Sequence, residues 1–239
     1  PYDRLDNLLF AYQYQTNGRP AGDESTMRRV GFLYSSNYSY DNRFLADLSL
    51  RNDGSSQYGT AKRFGTFWST GLGWNIHNEH FFLKNDMVNR FKIRSSYGTT
   101  GSLNIPAYSS QTRYGYSSTS SYYGELGAII TNLGNPTLSW QNVYKLNIGL
   151  DLTLFKERLD LRFDVYQEIT KNSLTRITLA PSTGFSNFSE NLGVVQNRGL
   201  EFSTRYKIID NKANGIMWGI NLNGFTNRNT LKELSNKLK

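Results

Sequence analysis

The sequence contains no cysteine, and this absence removes several kinds of chemistry. Without a thiol the chain has no disulfide, no thiolate metal site and no cysteine nucleophile. Proline is scarce, at 5 residues of 239, and no apolar run approaches the roughly 18 residues of a membrane-spanning helix. Membrane-spanning strands escape that test because only one of their two faces is apolar. Helical membrane spans are therefore disfavoured, whereas membrane-spanning strands are not.

The charge balance is basic but dispersed. The 27 Lys and Arg residues outnumber the 19 Asp and Glu residues, which gives a net charge of +8. The basic residues mostly alternate with Asp, Ser or Asn, as on a solvated or lumen-facing surface, so no nucleic-acid partner is predicted. Aromatic residues make up 14% of the chain and Gly numbers 21, a mixture that favours extended structure.

Two long alternating strands meet at a tight turn between residues 144 and 169. Side chains of a strand point to opposite faces with period two. In the second strand Gln167 is the one polar break among the apolar residues Leu159, Leu161, Phe163, Val165 and Ile169. Each alternation lasts ten or more residues, which matches the roughly 9–11 residues of a tilted transmembrane strand. The pattern predicts an all-β fold, an antiparallel transmembrane β-barrel wall.

Period two recurs along the chain and predicts about nine strands, at residues 8–14, 29–40, 43–52, 64–76, 91–99, 140–155, 158–171, 192–208 and 216–228. Short turns at 41–42, 156–157 and 210–215 alternate with longer connections at 15–28, 53–63, 100–139 and 172–191. Outer-membrane barrels have short periplasmic turns and long extracellular loops. Residues 77–90 are the exception, a longer connection on the short-turn side, with a turn of helix expected around 81–88.

Aromatic residues crowd the predicted short-turn end. They are Tyr38, Tyr40, Phe44, Trp74, Phe155, Tyr206 and Trp218. Amphipathic rings settle at the depth of lipid headgroups, so these residues are candidates for an inner aromatic girdle. Simple β-propensity of aromatic residues is the alternative explanation.

The stretch 101–138 is rich in Ser, Tyr and Gly and is the candidate ligand-binding region. Tyrosine rings offer flat apolar faces with hydroxyl groups and can stack on sugars. The candidate ligand contacts are Tyr108, Tyr114, Tyr116, Tyr122 and Tyr123. A solvated loop without a ligand role is the competing interpretation.

No catalytic, metal or cofactor motif emerges. His77 and His80 lack a third ligand and the helical context of a zinc protease. Residues 53–56 lack the ladder of acidic and amide side chains of a calcium loop. Asp160 and Asp164 lie among arginines and are better explained as paired lumen charges than as an acid and base. We expect no cofactor, no bound metal and no enzyme activity.

Five stretches resemble SusC/RagA-type TonB-linked outer-membrane receptors. They are LSLRNDGSSQYG (48–59), RFGTFWSTGLGWNI (63–76), FKIRSSYGTTGSLNIPAY (91–108), NLGNPTLSWQNVYKLNIGLD (132–151) and STGFSNFSENLGVVQNRGLEFS (182–203). They occur in the family's order and approximate spacing, from about Met27 onward. Several ordered matches are far more specific than any one alone.

The resemblance implies a 22-stranded barrel with an N-terminal plug. It also implies import of glycans or peptides, energised through TonB and assisted by a SusD-like surface lipoprotein. The implied location is the outer membrane of a Gram-negative, Bacteroidota-like cell, in contact with outer-membrane lipid. Residues 1–239 are then expected to be a partial barrel domain, with the plug and N-terminal modules absent and with TonB reached through that missing part.

A surface or secreted β-sandwich or β-solenoid, an adhesin or carbohydrate-binding module, is the alternative. It would also produce alternating strands and polar turns. It gives no reason, however, for ten-residue strands with short turns at one end only.

Overall fold

The computed structural model describes residues 25–82, 86–102, 105–122, 125–211 and 215–233. Within these ranges nearly all regular structure is antiparallel strand. The strands are β1 (Arg29–Tyr40), β2 (Phe44–Ser55), β3 (Phe64–Asn75), β4 (Val88–Ser102), β5 (Arg113–Tyr122), β6 (Glu125–Asn132), β7 (Gln141–Leu154), β8 (Leu159–Lys171), β9 (Leu174–Thr178), β10 (Asn187–Asn191), β11 (Val194–Asn211) and β12 (Ile216–Glu233). Single 3-10 turns lie at Thr60–Lys62, Ile76–Asn78 and Pro181–Thr183.

Eight of these strands form one sheet in the order β1-β2-β3-β4-β7-β8-β11-β12. The remaining strands form two separate hairpins, β5 with β6 and β9 with β10. The sheet does not close on itself within the described residues, because β1 and β12 stand at its two edges. No helix in the described ranges is long and apolar enough to cross a membrane.

The eight sheet strands occupy the segments predicted from alternation between residues 29 and 228, and the all-β antiparallel prediction is confirmed. The strand predicted at 8–14 lies outside the described residues. The connections predicted at 100–139 and 172–191 are more structured than expected, because each carries a hairpin. Runs of Ser and Thr in β5 and five-residue lengths in β9 and β10 produce no period-two signal.

The helical turn expected around residues 81–88 is absent from the described residues of that segment. The described 3-10 turn lies earlier, at Ile76–Asn78, and Val88 already begins β4. Residues 83–85 of that segment lie outside the described ranges.

The register aligns the side chains of each face of the sheet in rows that run across the strands. One row on the first face joins Ile148, Val165, Leu200 and Thr226, and the neighbouring row on the second face joins Gly149, Asp164, Glu201 and Phe225. We call the first of these the apolar face of the sheet and the second the polar face. Large side chains of the apolar face stand open, with Leu72 at 61% and Val165 at 56% exposure. So extensive an exposed apolar surface calls for an apolar environment on that side.

Two features adjust the predicted pattern. Strict alternation after Leu200, Phe202 and Tyr206 predicts Ile208 on the same apolar face, but a β-bulge between Lys207 and Ile209 places Ile209 opposite Trp218 instead. The turn after β7 begins one residue early, because Phe155 shares the left-handed backbone conformation of Lys156 and Glu157, with φ between 56 and 64°.

The two ends of the sheet differ in the length of the connections between strands. Residues 41–43, 76–87, 155–158 and 212–215 connect strands at one end, the short-turn end. Residues 56–63, 103–140 and 172–193, including both hairpins, connect strands at the other, the long-loop end. The predicted aromatic residues lie at or near the short-turn end, where Phe44 stacks on Trp74 at 6.2 Å between ring centroids. The buried apolar cluster, by contrast, lies at the long-loop end.

Candidate functional site

Two groups of interacting side chains are candidates for a functional site. The first is a group of ion pairs in the middle of the polar face, formed by Arg94, Asp151, Arg162 and Asp164. We call it the ion-pair cluster. The second is a packed group of side chains from the loops at the long-loop end, which we call the loop clamp. It comprises the rings of Tyr58, Phe67 and Trp140, the side chain of Ile105, and two asparagines, Asn135 and Asn191.

Arg94 is the centre of the ion-pair cluster. Its Nη2 lies 2.6 Å from Asp164 Oδ2 and its Nε lies 3.2 Å from Asp151 Oδ2. Arg162 Nε approaches the other oxygen of Asp151 at 3.1 Å. The cluster thus links β4, β7 and β8 by charge-assisted hydrogen bonds, which are stronger than neutral ones.

Gly149 makes this geometry possible. It lies opposite Arg94 in the β4–β7 ladder. A Cβ at this position would fall 2.5 Å from the guanidinium carbon of Arg94. The missing side chain therefore lets Arg94 lie across β7 and reach Asp164 on β8.

The ion-pair cluster borders a polar cavity of about 540 Å³. Arginine and asparagine side chains contribute much of its lining, including Arg90, Arg205, Asn221 and Asn223. The sequence predicted that Asp160 and Asp164 are paired with arginines, and Asp164 is indeed paired with Arg94. Asp160 instead accepts a hydrogen bond from the Thr153 hydroxyl at 2.9 Å and pairs with no arginine among the described residues. A surface of this kind can hydrogen-bond polar ligands, and no acid–base pair is assembled on it.

Aromatic packing forms the apolar half of the loop clamp. The Trp140 ring lies 4.5 Å from the Tyr58 ring and 5.4 Å from the Phe67 ring, centroid to centroid. Trp140 Nε1 donates to the Arg63 carbonyl at 3.1 Å, and the Tyr58 hydroxyl donates to the Ser102 carbonyl at 2.6 Å. Burial raises the pKa of the Tyr58 hydroxyl to about 12, so this donor stays protonated at neutral pH.

Two asparagines form the polar half of the clamp. Asn191 accepts from the Ser139 N–H at 2.8 Å and donates to the carbonyls of Ser139 and Asn172 at 2.9 and 3.0 Å. Asn135 donates to the Ser189 carbonyl at 2.9 Å. Together with the rings, these bonds join the connections at 56–63, 103–140 and 172–193 into one packed unit.

Sequence reasoning did not single out these clamp residues as a site. The only local signals are isolated polar or aromatic residues beside Gly and Pro, as in residues 132–140 and 190–193. Their partners lie far away in sequence, for example 52 residues for Asn191 and Ser139. Such long-range pairs leave no periodic trace.

Of the predicted ligand tyrosines, one lies in the connection before β5 and three lie along β5. Tyr108 is half-buried, and its hydroxyl accepts a hydrogen bond from the Thr26 N–H at 2.9 Å. Tyr114 is the second residue of β5 and is 69% exposed. Tyr116 and Tyr122 are residues of β5, and Tyr123 lies outside the described residues. Their role as ligand contacts stays a prediction.

The described residues contain no group of three or more metal-ligating side chains. His77 Nδ1 instead contacts the Phe91 carbonyl at 3.0 Å, which ties the 3-10 turn to β4. Asp53 at the end of β2 pairs with Arg51 at 2.6 Å.

Comparison with known proteins gives consistent matches. A family model described as TonB dependent receptor-like, beta-barrel, matches residues 1–237. TonB-dependent receptor P39 of Formosa agariphila is 34% identical over 237 residues, covering 98% of this chain and 22% of that protein. TonB-dependent receptor SusC of Bacteroides thetaiotaomicron is 30% identical over 215 residues, covering 86% and 21%.

Solved structures match in fold as well. The structure of the RagAB peptide transporter matches with a TM-score of 0.81 at 28% identity, covering 97% of this chain and 26% of that chain. The RagAB peptide importer in its closed-closed state matches with a TM-score of 0.79 at 29% identity, covering 86% and 22%. The chain therefore spans about a fifth to a quarter of the length of these relatives.

Proposed function

Because this chain belongs to the TonB-dependent receptor β-barrel family, we propose that its sheet is one segment of the wall of an outer-membrane nutrient importer. The family consists of transporters, not enzymes, and its members are outer-membrane barrels. The expectation of no enzyme activity is therefore confirmed at the level of the family. Residues 1–239 represent part of the barrel domain in this proposal.

The contrast between the two faces carries the proposal. The apolar face leaves large side chains open on all eight strands, whereas the polar face holds the ion-pair cluster and a polar cavity. A wall between lipid and a water-filled lumen needs that division. A β-sandwich would need a second sheet against the apolar face, and no described strand packs there.

The cargo in this proposal is a glycan or a peptide. Two observations support a polar, oligomeric ligand: the arginine- and asparagine-rich lining of the polar face and the exposed Tyr114 at the long-loop end. Two of the solved structures that resemble this chain are of a peptide importer or transporter. A SusD-like lipoprotein would lie over the long-loop end, and TonB would act through the remainder of the receptor.

Uptake by cells tests the function directly. Cells lacking the full-length receptor are complemented with it and given fluorescent oligosaccharides and peptides, with and without TonB. We expect accumulation of at least one cargo only when both the receptor and TonB are present. Equal accumulation in receptor-deficient cells would contradict the proposal.

Orientation is tested separately by cysteine labelling of the full-length receptor, with the unaltered receptor as the background control; this chain itself contributes no native cysteine. A membrane-impermeant maleimide added to whole cells should label Ser118→Cys in β5, in the connection at the long-loop end. It should not label Glu157→Cys in the turn between β7 and β8. The reverse pattern would overturn the assigned topology.

A further inference from the structure

An arginine pair interrupts the apolar face near the long-loop end. Arg198 on β11 lies directly opposite Arg228 on β12, and on its other side it lies opposite Gln167 on β8. The three residues form one cross-strand row. The row below it consists of Val165, Leu200 and Thr226, so the arginines stand immediately beyond the apolar residues.

Two like charges directly opposite each other on neighbouring strands repel. On the polar face of the same sheet, by contrast, Arg94 is matched by the carboxylates of Asp151 and Asp164. Neither Arg198 nor Arg228 takes part in an ion pair with a described residue. The pair therefore lacks a described counter-charge and suits an anion that bridges both guanidinium groups.

The surroundings of the pair favour an amphiphile over a free anion. A cavity of about 570 Å³ lies on this face, with Arg198, Arg228 and Gln167 in its lining. The rest of its lining includes Leu146, Ile148 and Leu200. An anionic headgroup would meet the arginines while an attached acyl chain covers the apolar floor.

The depth of the row fits a headgroup. Gln167 lies eight residues along β8 from Leu159, the first residue of that strand at the short-turn end. At about 3.3 Å per residue and a tilt of about 45°, this places the row roughly 19 Å above Leu159 in an apolar band about 25 Å tall. Arginine side chains at that height reach the interface by extending toward it.

We infer that Arg198 and Arg228, with Gln167 beside them, bind the phosphate of a lipid headgroup in the outer leaflet. The guanidinium group is suited to this role because its planar set of donors matches phosphate oxygens in pairs. The inference rests on the proposed function, since it requires the apolar face to meet lipid. It adds a lipid-binding site on the outside of the wall, separate from the cargo path.

The test is native mass spectrometry of the full-length receptor in detergent, titrated with lipid A carrying one phosphate. The same lipid without phosphate and inorganic phosphate alone are titrated in parallel. We expect the phosphorylated lipid to bind at least about tenfold more tightly than the lipid without phosphate, because only the former pairs with both arginines. Equal binding of the two lipids by the unaltered receptor would overturn the inference without any variant.

Variants localise the effect. Arg198→Gln with Arg228→Gln should lower binding of the phosphorylated lipid about tenfold and leave the lipid without phosphate unaffected. The matched control, Arg205→Gln with Lys207→Gln, removes two positive charges from the polar face of the same strand and should bind as the unaltered receptor does. Arg198→Lys with Arg228→Lys keeps the charge without the paired donors and should fall between them.

Three further outcomes would refute the inference. The glutamine pair could bind the phosphorylated lipid as well as the control does. Inorganic phosphate could bind as tightly as the phosphorylated lipid, which would indicate a free-anion site. Removing Arg205 and Lys207 could weaken lipid binding equally, which would indicate a general charge effect. Uptake is measured for the unaltered receptor and for the glutamine pair at 198 and 228, so retained uptake with no lipid preference defeats this inference and leaves the proposed function standing.

Discussion

Phe163 offers a direct test of which medium the apolar face meets. It lies on β8 four residues from Leu159, is 41% exposed, and its ring stacks on that of Phe202 at 6.2 Å between centroids. At about 3.3 Å per residue and a tilt of about 45°, Phe163 lies roughly 9 Å into an apolar band about 25 Å tall. Phe163→Arg then puts a charge near the bilayer centre, at a cost of about 2–4 kcal/mol.

Two other arginine substitutions calibrate this cost. Tyr206→Arg lies on the same face at the short-turn end, opposite Leu159, where the cost should fall to about 0–1 kcal/mol. Ser49→Arg lies on the polar face of β2 between Ser35 and Ser69, two small polar neighbours with room for a longer side chain. It should also cost less than about 1 kcal/mol, because water or polar groups can solvate the new charge.

Phe163→Leu separates lipid from a packed protein interior. Against fluid lipid it loses little beyond the stacking contact with Phe202, about 0.5–1.5 kcal/mol. In a packed core, shortening the aromatic ring would also leave a cavity, and the loss would rise further. The assay is urea unfolding of the full-length receptor in lipid vesicles, read by the heat-dependent shift of the folded band on a gel.

The expected order of destabilisation is Phe163→Arg well above Tyr206→Arg, Ser49→Arg and Phe163→Leu. A loss above about 2 kcal/mol for Phe163→Leu would mean that protein covers this face. Equal losses for Phe163→Arg and Ser49→Arg would mean that the two faces do not differ in environment. Either result would defeat the assignment of the apolar face to lipid.

Three further predictions concern the long-loop end. Tyr114→Ala with Tyr122→Ala should weaken cargo binding about thirtyfold if each ring contributes about 1 kcal/mol, and unchanged uptake of every tested glycan and peptide would make the hairpin only a spacer. Asn191→Ala should cost about 1–3 kcal/mol of local stability and speed amide exchange in residues 133–140 and 172–173, because three hydrogen bonds are lost. The control is Asn187→Ala, an exposed residue whose side-chain amide bonds, among the described residues, only to the Ser186 hydroxyl, and equal exchange in both variants would refute the clamp. Burial raises the pKa of Tyr58 from 10.0 to about 12, so the unfolded chain loses this proton first and the free energy of unfolding should fall as pH rises from 10.0 toward 12. Tyr58→Phe should show a smaller fall, and identical pH profiles for the two proteins would contradict the assignment.

The wall could be predicted from sequence because its information is local. In β7 and β8 the alternation from Tyr144 to Ile169 assigns each residue to a face without knowledge of any partner. Pairing then follows from the tight turn, which brings Leu154 opposite Leu159 and Leu150 opposite Phe163. The bulge at Lys207 was not predictable, since the adjacent Ile208 and Ile209 supply an apolar side chain to the apolar face with or without a bulge.

The candidate site was harder to predict because its contacts are distant in sequence. Arg94 on β4 reaches Asp164 on β8 across 70 residues of sequence, and only Gly149 on the intervening strand β7 hints at the space that Arg94 needs. The β5–β6 hairpin was also hard to predict from sequence, for a different reason. Its Ser- and Thr-rich strand lacks an apolar face, so the pattern resembles a loop.

The two ends of the sheet differ in what stabilises them. At the short-turn end, left-handed residues such as Asp41 and Asn42 close the chain within the strand pair itself, and the next connection adds amide bonds from Asn75 and Asn78 to the Asn42 carbonyl. At the long-loop end the connections are long, and their order depends on Trp140, Asn135 and Asn191 bonding to segments that the sheet does not align. A substitution in the clamp should therefore change the position of the loops while the strand ladders below persist. Because the exposed Tyr114 belongs to those loops, cargo binding should be more sensitive to the clamp than the stability of the wall is.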